Sequence, residues 1–237
     1  MVIKKMVARG TARLLANEIS SCTACVRLTA YCQSFLLAEN QKTPHTSYWA
    51  RPVPGFGDKM AEVLIIGLAP GAHGANRTGR PFTGDGAGEV LYKALHKVGF
   101  SNREKVEDIR DGLVLNNIYI TNAVKCVPPG NRPTGEEKKT CLNWLADEWG
   151  RLKNVRIVLA MGKDAFESFL RLQKDLGIVR KLSDYRFQHG KEYAFDGAKT
   201  LLIATYHFSR YNMNTGVLTE EMVDAIFEKI RRFLRRD

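Results

Sequence analysis

Four short segments stand out along the chain, because they are rich in aliphatic and β-branched residues that do not strictly alternate with polar ones. They are 61–68 (AEVLIIGL), 114–124 (VLNNIYITNAV), 155–161 (VRIVLAM) and 199–206 (KTLLIATY). This pattern is typical of parallel strands that are covered on both faces. Helical patterns lie between and after them, at about 87–99, 134–150, 163–176 and 219–236. The alternation predicts an α/β fold with a doubly wound, mainly parallel four-stranded sheet flanked by helices, in a single domain over residues 1–237.

Local signals refine this outline. Thr134 and Glu137 have the spacing of a capping box, and Thr219 is placed to cap the last helix. The segment 186–195 (RFQHGKEYAF) predicts a hairpin inserted before the last strand. Residues 40–60, rich in proline and glycine, predict a long loop.

Three unusual polar segments follow ends of predicted strands. They are GLAPGAHGANRTGRPFTGD (67–85), TNAVKCVPPGNRPT (121–134) and TYHFSRYNMNTG (205–216). Open α/β sheets bind ligands at the carboxyl ends of their strands, so these segments predict a site at one edge of the sheet. The first segment lacks both the Walker A ending and the dinucleotide-binding glycine pattern. It is therefore not interpreted as a nucleotide-phosphate loop.

The charge of the chain indicates a polyanionic partner. There are 36 Lys and Arg against 25 Asp and Glu, a net charge of +11. DNA fits this excess, and a basic surface without a specific partner is the alternative. The terminal run EKIRRFLRRD fits either a DNA backbone or the solvated face of a last helix. No apolar run approaches the roughly 18 residues of a membrane span, so no membrane association is predicted.

The first 17 residues are basic and contain no acid. A transit peptide and a short amphipathic helix both fit this composition, and the slight Arg and Ser content favours the helix. No secretory signal is evident, and we expect a reducing, cytoplasmic location of prokaryotic type, at the nucleoid.

The cysteines indicate a metal centre rather than disulfides. The chain contains five, an odd number, and Cys22 and Cys25 form a C-x2-C pair. With Cys126 and Cys141, they supply four thiolates for either tetrahedral zinc or a four-iron, four-sulfur cluster. Because only one pair is tightly spaced, the cluster is favoured over zinc. Cys32 fits simple core packing best.

The chain as a whole resembles a known family. CTACVRL, GLAPGAHGANRTGRPFTGD, TNAVKCVPPGN and YHFSRYNMNTGVLTEEM resemble motifs of the uracil-DNA glycosylase superfamily, and most of all family 5, the type B iron–sulfur enzymes. The similar segments run from Cys22 to about Met222. The resemblance implies a glycosylase that flips uracil out of single- or double-stranded DNA and hydrolyses its N-glycosidic bond. It also suggests activity on deaminated bases such as hypoxanthine. A non-catalytic iron–sulfur protein that binds nucleic acid is the alternative function.

The resemblance also implies roles for individual residues. Phe82 matches the aromatic ring on which uracil stacks, and Asn122 matches the amide that reads the pyrimidine edge. His207 matches the histidine that stabilises the departing base anion. Asp85 is the candidate to orient the attacking water, and it also precedes a helix that it could cap. These assignments make Asp85, Asn122 and His207 the catalytic candidates.

The remaining pocket residues come from the same first motif. Gly67, Gly71 and His73 are expected in the pocket wall, together with Ala69. Many members of the superfamily carry a water-activating carboxylate or amide at the position of Ala69. This chain has alanine there instead, and the type B branch also has alanine. This absence directs attention to Asp85.

The third motif departs from the usual pattern. It reads His207-Phe208-Ser209, where the related motif has His-Pro-Ser. Arg210, Asn212 and Met213 are expected to contact DNA, with Met213 as the apolar wedge that fills the gap of the flipped base and Tyr211 as a further candidate. No lysine stands in a nucleophile context, so we expect a hydrolytic, monofunctional enzyme. We also expect a monomer. The cluster is expected to tie the N-terminal segment to the core and to place Lys125 and Arg132 near phosphates.

Overall fold

The structure, a computed structural model, describes residues 12–42, 46–195, 197 and 199–235. Its helices are α1 (Ala12–Ser20), α2 (Val26–Ser34), α3 (Ala75–Thr78), α4 (Gly86–Lys97), α5 (Gly135–Arg151), α6 (Lys163–Asp175), α7 (Arg210–Asn214) and α8 (Glu220–Leu234). Its strands are β1 (Phe56–Gly57), β2 (Val63–Gly67), β3 (Ile118–Asn122), β4 (Ile157–Met161), β5 (Glu192–Ala194) and β6 (Leu201–Thr205). Residues 1–11, most of the basic N-terminal segment, lie outside the described residues, and helix α1 begins directly after them.

The sheet confirms the α/β prediction. Its strand order is β1-β3-β2-β4-β6-β5, and the four inner strands pair in parallel. These are the four aliphatic segments of the sequence. Two short strands, β1 and β5, extend the edges in antiparallel orientation. Strand β5 lies within the segment predicted as a hairpin, whereas β1 was missed because a strand of two residues carries too little periodicity to detect.

Both faces of the sheet are covered. Along β2, Val63 and Ile65 pack with α4 and α8, whereas Leu64 and Ile66 pack with α5 and α6. Successive side chains of a strand point to opposite faces, so an unbroken aliphatic run fills two cores at once. A third cluster, which includes Leu28 of α2, covers the chain after β3. The N-terminal helices are thereby held against the core.

Local sequence signals are confirmed at two helix starts. Thr134 accepts a hydrogen bond from the Glu137 N–H, and the Glu137 carboxylate accepts one from the Thr134 N–H, which completes the capping box of α5. Thr219 accepts from the Met222 N–H at the start of α8. No helix of the described chain is long and apolar enough to cross a membrane.

Two predictions about loops need correction. The hairpin expected within 186–195 is not formed, because β5 pairs with β6 and leaves 186–188 unpaired. That segment is instead held by its aromatic side chains, including Phe187, whose ring lies 5.7 Å from that of Phe166. The long loop at 40–60 contains β1, which pairs with Tyr119 and Ile120 of β3.

Candidate active site

A cavity of about 380 Å³ opens at the carboxyl ends of β2, β3 and β6. Its wall contains Ala69, Phe82, Asp85, Asn122 and His207. The three polar segments that follow strand ends therefore do meet at one edge of the sheet. Gly71, another residue expected in the pocket wall, also lines the cavity.

Phe82 and Asn122 meet over Gly67. In the parallel register of β2 and β3, Gly67 is paired with Asn122. A Cβ atom on Gly67 would lie 2.5 Å from the Asn122 Oδ1 and 2.5 Å from the Phe82 Cζ. Only glycine leaves room here for the amide oxygen and the phenyl ring side by side.

The side chain of Asn122 lies in the cavity wall, and its amide oxygen is buried without a partner among the described residues. Asn122 is 2% exposed, and its Oδ1 has no hydrogen-bond partner within the described part of the chain. A buried polar atom without a partner is uncommon in folded proteins and costs free energy unless a ligand or water satisfies it. Phe82, beside it, is held with φ at 53°, in the left-handed region that non-glycine residues seldom adopt. Such strained positions cluster at functional sites.

Asp85 has two carboxylate oxygens with different surroundings. Oδ1 accepts a hydrogen bond of 2.9 Å from the Gly88 N–H, so Asp85 caps α4 as the sequence suggested. Oδ2 lies over the backbone of Gly71 and Gly74, where a side chain on Gly74 would collide with it. Of the described residues that line the cavity, Asp85 is the single carboxylate. One oxygen therefore orients the side chain, and the carboxylate remains part of the cavity wall.

His207 lies directly after β6, near Asp85. Burial lowers its pKa below the ordinary value of 6.5, and the negative charge of Asp85 partly opposes that shift. The imidazole is therefore neutral at pH 7. Its backbone is held as well, because the Asn212 Nδ2 donates a hydrogen bond of 2.8 Å to the His207 carbonyl.

Phe208 takes the place of the expected proline and explains how the histidine loop is held without one. Its side chain is 0% exposed and its ring packs edge-on against that of Phe227 of α8, with centroids 6.3 Å apart. A proline would restrict the loop through its own φ angle. Here a buried aromatic ring anchors the loop to the core.

The residues expected to contact DNA divide into two groups. Arg210 is exposed at the cavity rim and pairs with Glu89 at 3.1 Å. Asn212 holds the His207 loop, and Met213 packs against the core on one side of the sheet. Tyr211, between them, is 74% exposed. The surface thus presents Tyr211, rather than Met213, as the apolar side chain that projects from this loop.

His73 lies elsewhere. It is absent from the residues that line the cavity, and its Nδ1 shares a hydrogen bond of 2.8 Å with the Tyr48 hydroxyl. Its ring also packs edge-on against Phe35, at 5.7 Å. His73 therefore packs against Tyr48 and Phe35 of the third cluster and does not line the cavity.

Lys125 is not near the surface, so its predicted contact with phosphates is wrong. The Lys125 and Glu148 side chains are each 1% exposed and pair at 2.6 Å. The Lys125 Nζ also donates to the Thr121 Oγ1 and, at 2.8 Å, to the carbonyl of Asn122. This buried pair thus contacts the backbone of Asn122, a residue of the cavity wall. One signal was present in the sequence: Glu148 follows Cys141 and Leu145 on the buried face of α5, where a carboxylate needs a partner. Arg132, the other expected phosphate contact, is exposed.

Cys32, Cys126 and Cys141 belong to the third cluster, and Cys25 packs against it. Cys126 and Cys141 are buried, and Cys22 and Cys25 are partly buried. The Trp144 indole donates to the Cys22 Sγ at 3.3 Å, and the Lys125 N–H donates to the Cys141 Sγ at 3.2 Å. Burial, with a smaller contribution from the neighbouring Cys25 and Cys22, raises the pKa of the Cys141 thiol to about 11, against the opposing effect of Lys125. Cys32 lies within hydrogen-bonding reach of Cys126.

No group of three or more His, Cys, Asp or Glu side chains in the described residues is arranged to hold one metal ion. The thiols are nonetheless neighbours, and two of the sulfurs accept hydrogen bonds from N–H groups. Such bonds suit thiolate sulfur, and they tune the potentials of iron–sulfur clusters. The donor set and these hydrogen bonds fit thiolate ligands of a metal centre.

Comparisons with known proteins bear directly on this site. The family model of the uracil DNA glycosylase superfamily matches residues 54–231, a range that contains the whole cavity wall. The chain belongs to the uracil DNA glycosylase superfamily. A type-5 uracil-DNA glycosylase of Thermus thermophilus is 44% identical over 91% of this chain and 95% of its own length. The type-5 enzyme of Pyrobaculum aerophilum is 40% identical over 91% and 89%, and a type-4 enzyme of the same organism is 36% identical over 73% and 79%.

Within this superfamily, the cavity at the strand ends is the candidate active site. Residues from all three polar segments line it, and each segment follows the end of a different strand. The superfamily match begins at Pro54, so Cys22 and Cys25 lie before it. The matched range contains Cys126 and Cys141.

Proposed function

We propose that this chain is a uracil-DNA glycosylase that removes uracil from DNA by hydrolysis and leaves the DNA backbone intact. The observation that carries the proposal is the unpartnered Oδ1 of buried Asn122, beside the ring of Phe82 and in one cavity with Asp85 and His207. This set offers an aromatic surface, an edge reader, a carboxylate and an imidazole. A flipped base needs these groups.

The reaction divides among these residues. Water attacks C1′ of the deoxyribose, the bond from C1′ to N1 of the base breaks, and uracil leaves as an anion that takes up a proton. The Asp85 carboxylate orients the water and stabilises the positive charge that develops on the sugar. Neutral His207 donates a hydrogen bond to a carbonyl oxygen of the departing base. Asn122 reads the base edge, with Phe82 stacked on its face.

The position of Ala69 supports the assignment to Asp85. Ala69 lines the cavity with a methyl group and offers neither an acid nor an amide for water. The same small side chain leaves space for a larger base. We therefore extend the proposal to deaminated purines such as hypoxanthine, to be tested with oligonucleotides that contain hypoxanthine in place of uracil.

The decisive experiment incubates the protein with a uracil-containing oligonucleotide and then with alkali, which cleaves at abasic sites. Strand scission after alkali, and none before it, is expected. Intact DNA would refute the proposal and favour a protein that only binds nucleic acid.

The role of Asp85 is tested with Asp85→Asn. Asparagine caps helices about as well as aspartate, so α4 keeps its cap and only the charge is lost. We expect excision to slow by about 10²–10⁴-fold, as for loss of a general acid–base group, with an unchanged melting temperature. An unchanged rate would remove Asp85 from the mechanism.

We also propose that Cys22, Cys25, Cys126 and Cys141 hold a four-iron, four-sulfur cluster, with zinc as the alternative. The cluster would tie the N-terminal helices to α5 structurally. Each thiolate of such a cluster binds a different iron, so the four sulfurs need not converge on one point. Binding must displace the thiol protons. Purified protein should show broad visible absorbance, which Cys126→Ala abolishes and Cys32→Ala preserves; colourless protein that contains zinc would favour the alternative.

The wider setting is proposed from charge. The net charge of +11 supports action on nucleoid DNA in the cytoplasm of a prokaryotic cell. We further propose that the chain works as a single-domain monomer, because each residue of the reaction above lies in the same chain. Sedimentation with and without DNA tests this.

A further inference from the structure

A second groove, of about 570 Å³, lies between α6 and the segment 182–187. Its walls include the aromatic side chains of Phe166, Tyr185 and Phe187. Phe166 is buried, whereas Tyr185 and Phe187 are partly exposed. The groove therefore offers aromatic surface to a planar ligand.

The rim of this aromatic groove is cationic. Lys163, Arg171 and Arg186 line it together with one carboxylate, Glu167. Glu167 lies 3.7 Å from the Lys163 Nζ and so offsets that cation in part. Among the described residues, neither Arg171 nor Arg186 forms an ion pair. Two exposed guanidinium groups thus remain beside the aromatic rings.

The aromatic groove lies close to the candidate active site, although the two share no described lining residue. Lys163 follows Gly162, where a Cβ atom would lie 3.5 Å from the Cβ of His207. On the other side, the Phe187 ring lies 6.1 Å from that of Tyr206, the residue directly before His207. A DNA strand whose flipped nucleotide entered the cavity would therefore pass close to this groove.

We propose that the aromatic groove binds a single-stranded stretch of DNA on one side of the flipped nucleotide. Bases stack on Tyr185 and Phe187, and phosphates pair with Arg171 and Arg186. Aromatic platforms beside cationic side chains bind single strands in this way without reading sequence, because every base has a π-face. This inference rests on the proposed function, since it assumes that DNA enters the cavity.

The test uses the variant Arg171→Ala/Arg186→Ala and the control Lys59→Ala/Lys153→Ala. The control removes the same charge from exposed positions that precede β2 and β4, at the opposite end of the strands. Affinity for single-stranded, uracil-containing oligonucleotides is measured by anisotropy over a range of salt concentrations. Single-turnover excision at saturating enzyme is measured in parallel.

In the groove variant, the slope of log affinity against log salt should become shallower by about 0.7 for each lost phosphate contact, or about 1.4 in total. The control should keep the wild-type slope. The single-turnover rate should stay at the wild-type value, because neither arginine lines the cavity. Oligonucleotides trimmed on one side of the uracil should bind the wild type and the groove variant with equal affinity. Oligonucleotides trimmed on the other side should still bind the groove variant more weakly than the wild type.

Equal salt slopes for the groove variant and the control would overturn the inference. A difference in affinity between the wild type and the groove variant that persists whichever side of the uracil is trimmed would also overturn it. An equal loss of affinity for blunt duplex and single strand would overturn the single-strand assignment. These results are separable from the proposed function, because excision of uracil by the wild-type protein tests that function independently.

Discussion

Loss of the buried Lys125–Glu148 pair should destabilise this protein far more than loss of an exposed pair of nearly the same length. Lys125 and Glu148 are each 1% exposed and 2.6 Å apart, whereas Lys138 and Asp164 are 24% and 45% exposed and 2.7 Å apart. Lys125→Met leaves a buried carboxylate without its counter-charge. The cost of breaking such a pair from one side is about 3–5 kcal/mol. Lys138→Met should cost about 0–1 kcal/mol, because water already solvates both of its charges.

For a chain of this size, 1 kcal/mol corresponds to about 2–4 °C in the melting temperature. Lys125→Met should therefore melt about 6–20 °C below the wild type, and Lys138→Met within about 4 °C of it. The assay is thermal unfolding followed by circular dichroism, with urea unfolding at 25 °C to obtain the free energies.

The double variant Lys125→Met/Glu148→Met separates the pair from simple loss of packing. With both charges removed, no unpaired ion remains, so its cost should fall at least about 2 kcal/mol below the sum of the single variants. Additive costs would refute the reasoning, and so would a Lys125→Met variant as stable as Lys138→Met. Because the Lys125 Nζ also donates to the Asn122 carbonyl, slower uracil excision should accompany the loss of stability.

Three further results are expected. Gly67→Ala should lower the single-turnover excision rate at least about tenfold, because its Cβ would meet an amide oxygen and a phenyl carbon at 2.5 Å, whereas Gly150→Ala, with nothing within 4 Å, should leave the rate unchanged. Burial lowers the pKa of His207 below 6.5, so the unfolded state binds the proton more readily than the folded state, and the free energy of unfolding should fall as the pH drops below about 6.5. In urea unfolding, His207→Gln should lose less of its free energy of unfolding between pH 7 and pH 5 than the wild type does. Tyr211→Ala should slow excision from duplex more than from single strands, because the 74% exposed side chain of Tyr211 is the one that projects from this loop to fill the gap left by a flipped base. Met213→Ala removes a side chain packed on the core and should lower the melting temperature instead. An unchanged rate for Gly67→Ala, the same pH dependence in His207→Gln and wild type, or an equal effect of Tyr211→Ala on both substrates would contradict the corresponding prediction.

The fold was largely predictable from the sequence. Four segments rich in aliphatic and β-branched residues became the four parallel strands, because a strand covered on both faces is mostly apolar along its length. Thr134 and Thr219 capped their helices as predicted, because a cap depends on residues only three positions apart. The two-residue edge strand β1 carried no such local signal.

The sequence also identified the segments that meet at the site. The strand-end rule predicted that the three polar segments meet, the family resemblance named Phe82, Asp85, Asn122 and His207 within them, and the cavity wall contains all four. Their placement follows from a general rule for parallel sheets, and it required no knowledge of side-chain contacts.

The tertiary structure alone decided which side chains face the cavity and which support it. Lys125 was expected at the surface and lies in the core, because its partner Glu148 comes from a helix 23 residues away in the chain. Met213 and Tyr211 are two positions apart on one short helix, yet the first packs inward and the second projects outward. The hydrophobic pattern determines which strands form the core, since it depends on neighbours along the chain. The partner of a buried charge and the direction of a loop side chain depend on elements that only folding brings together.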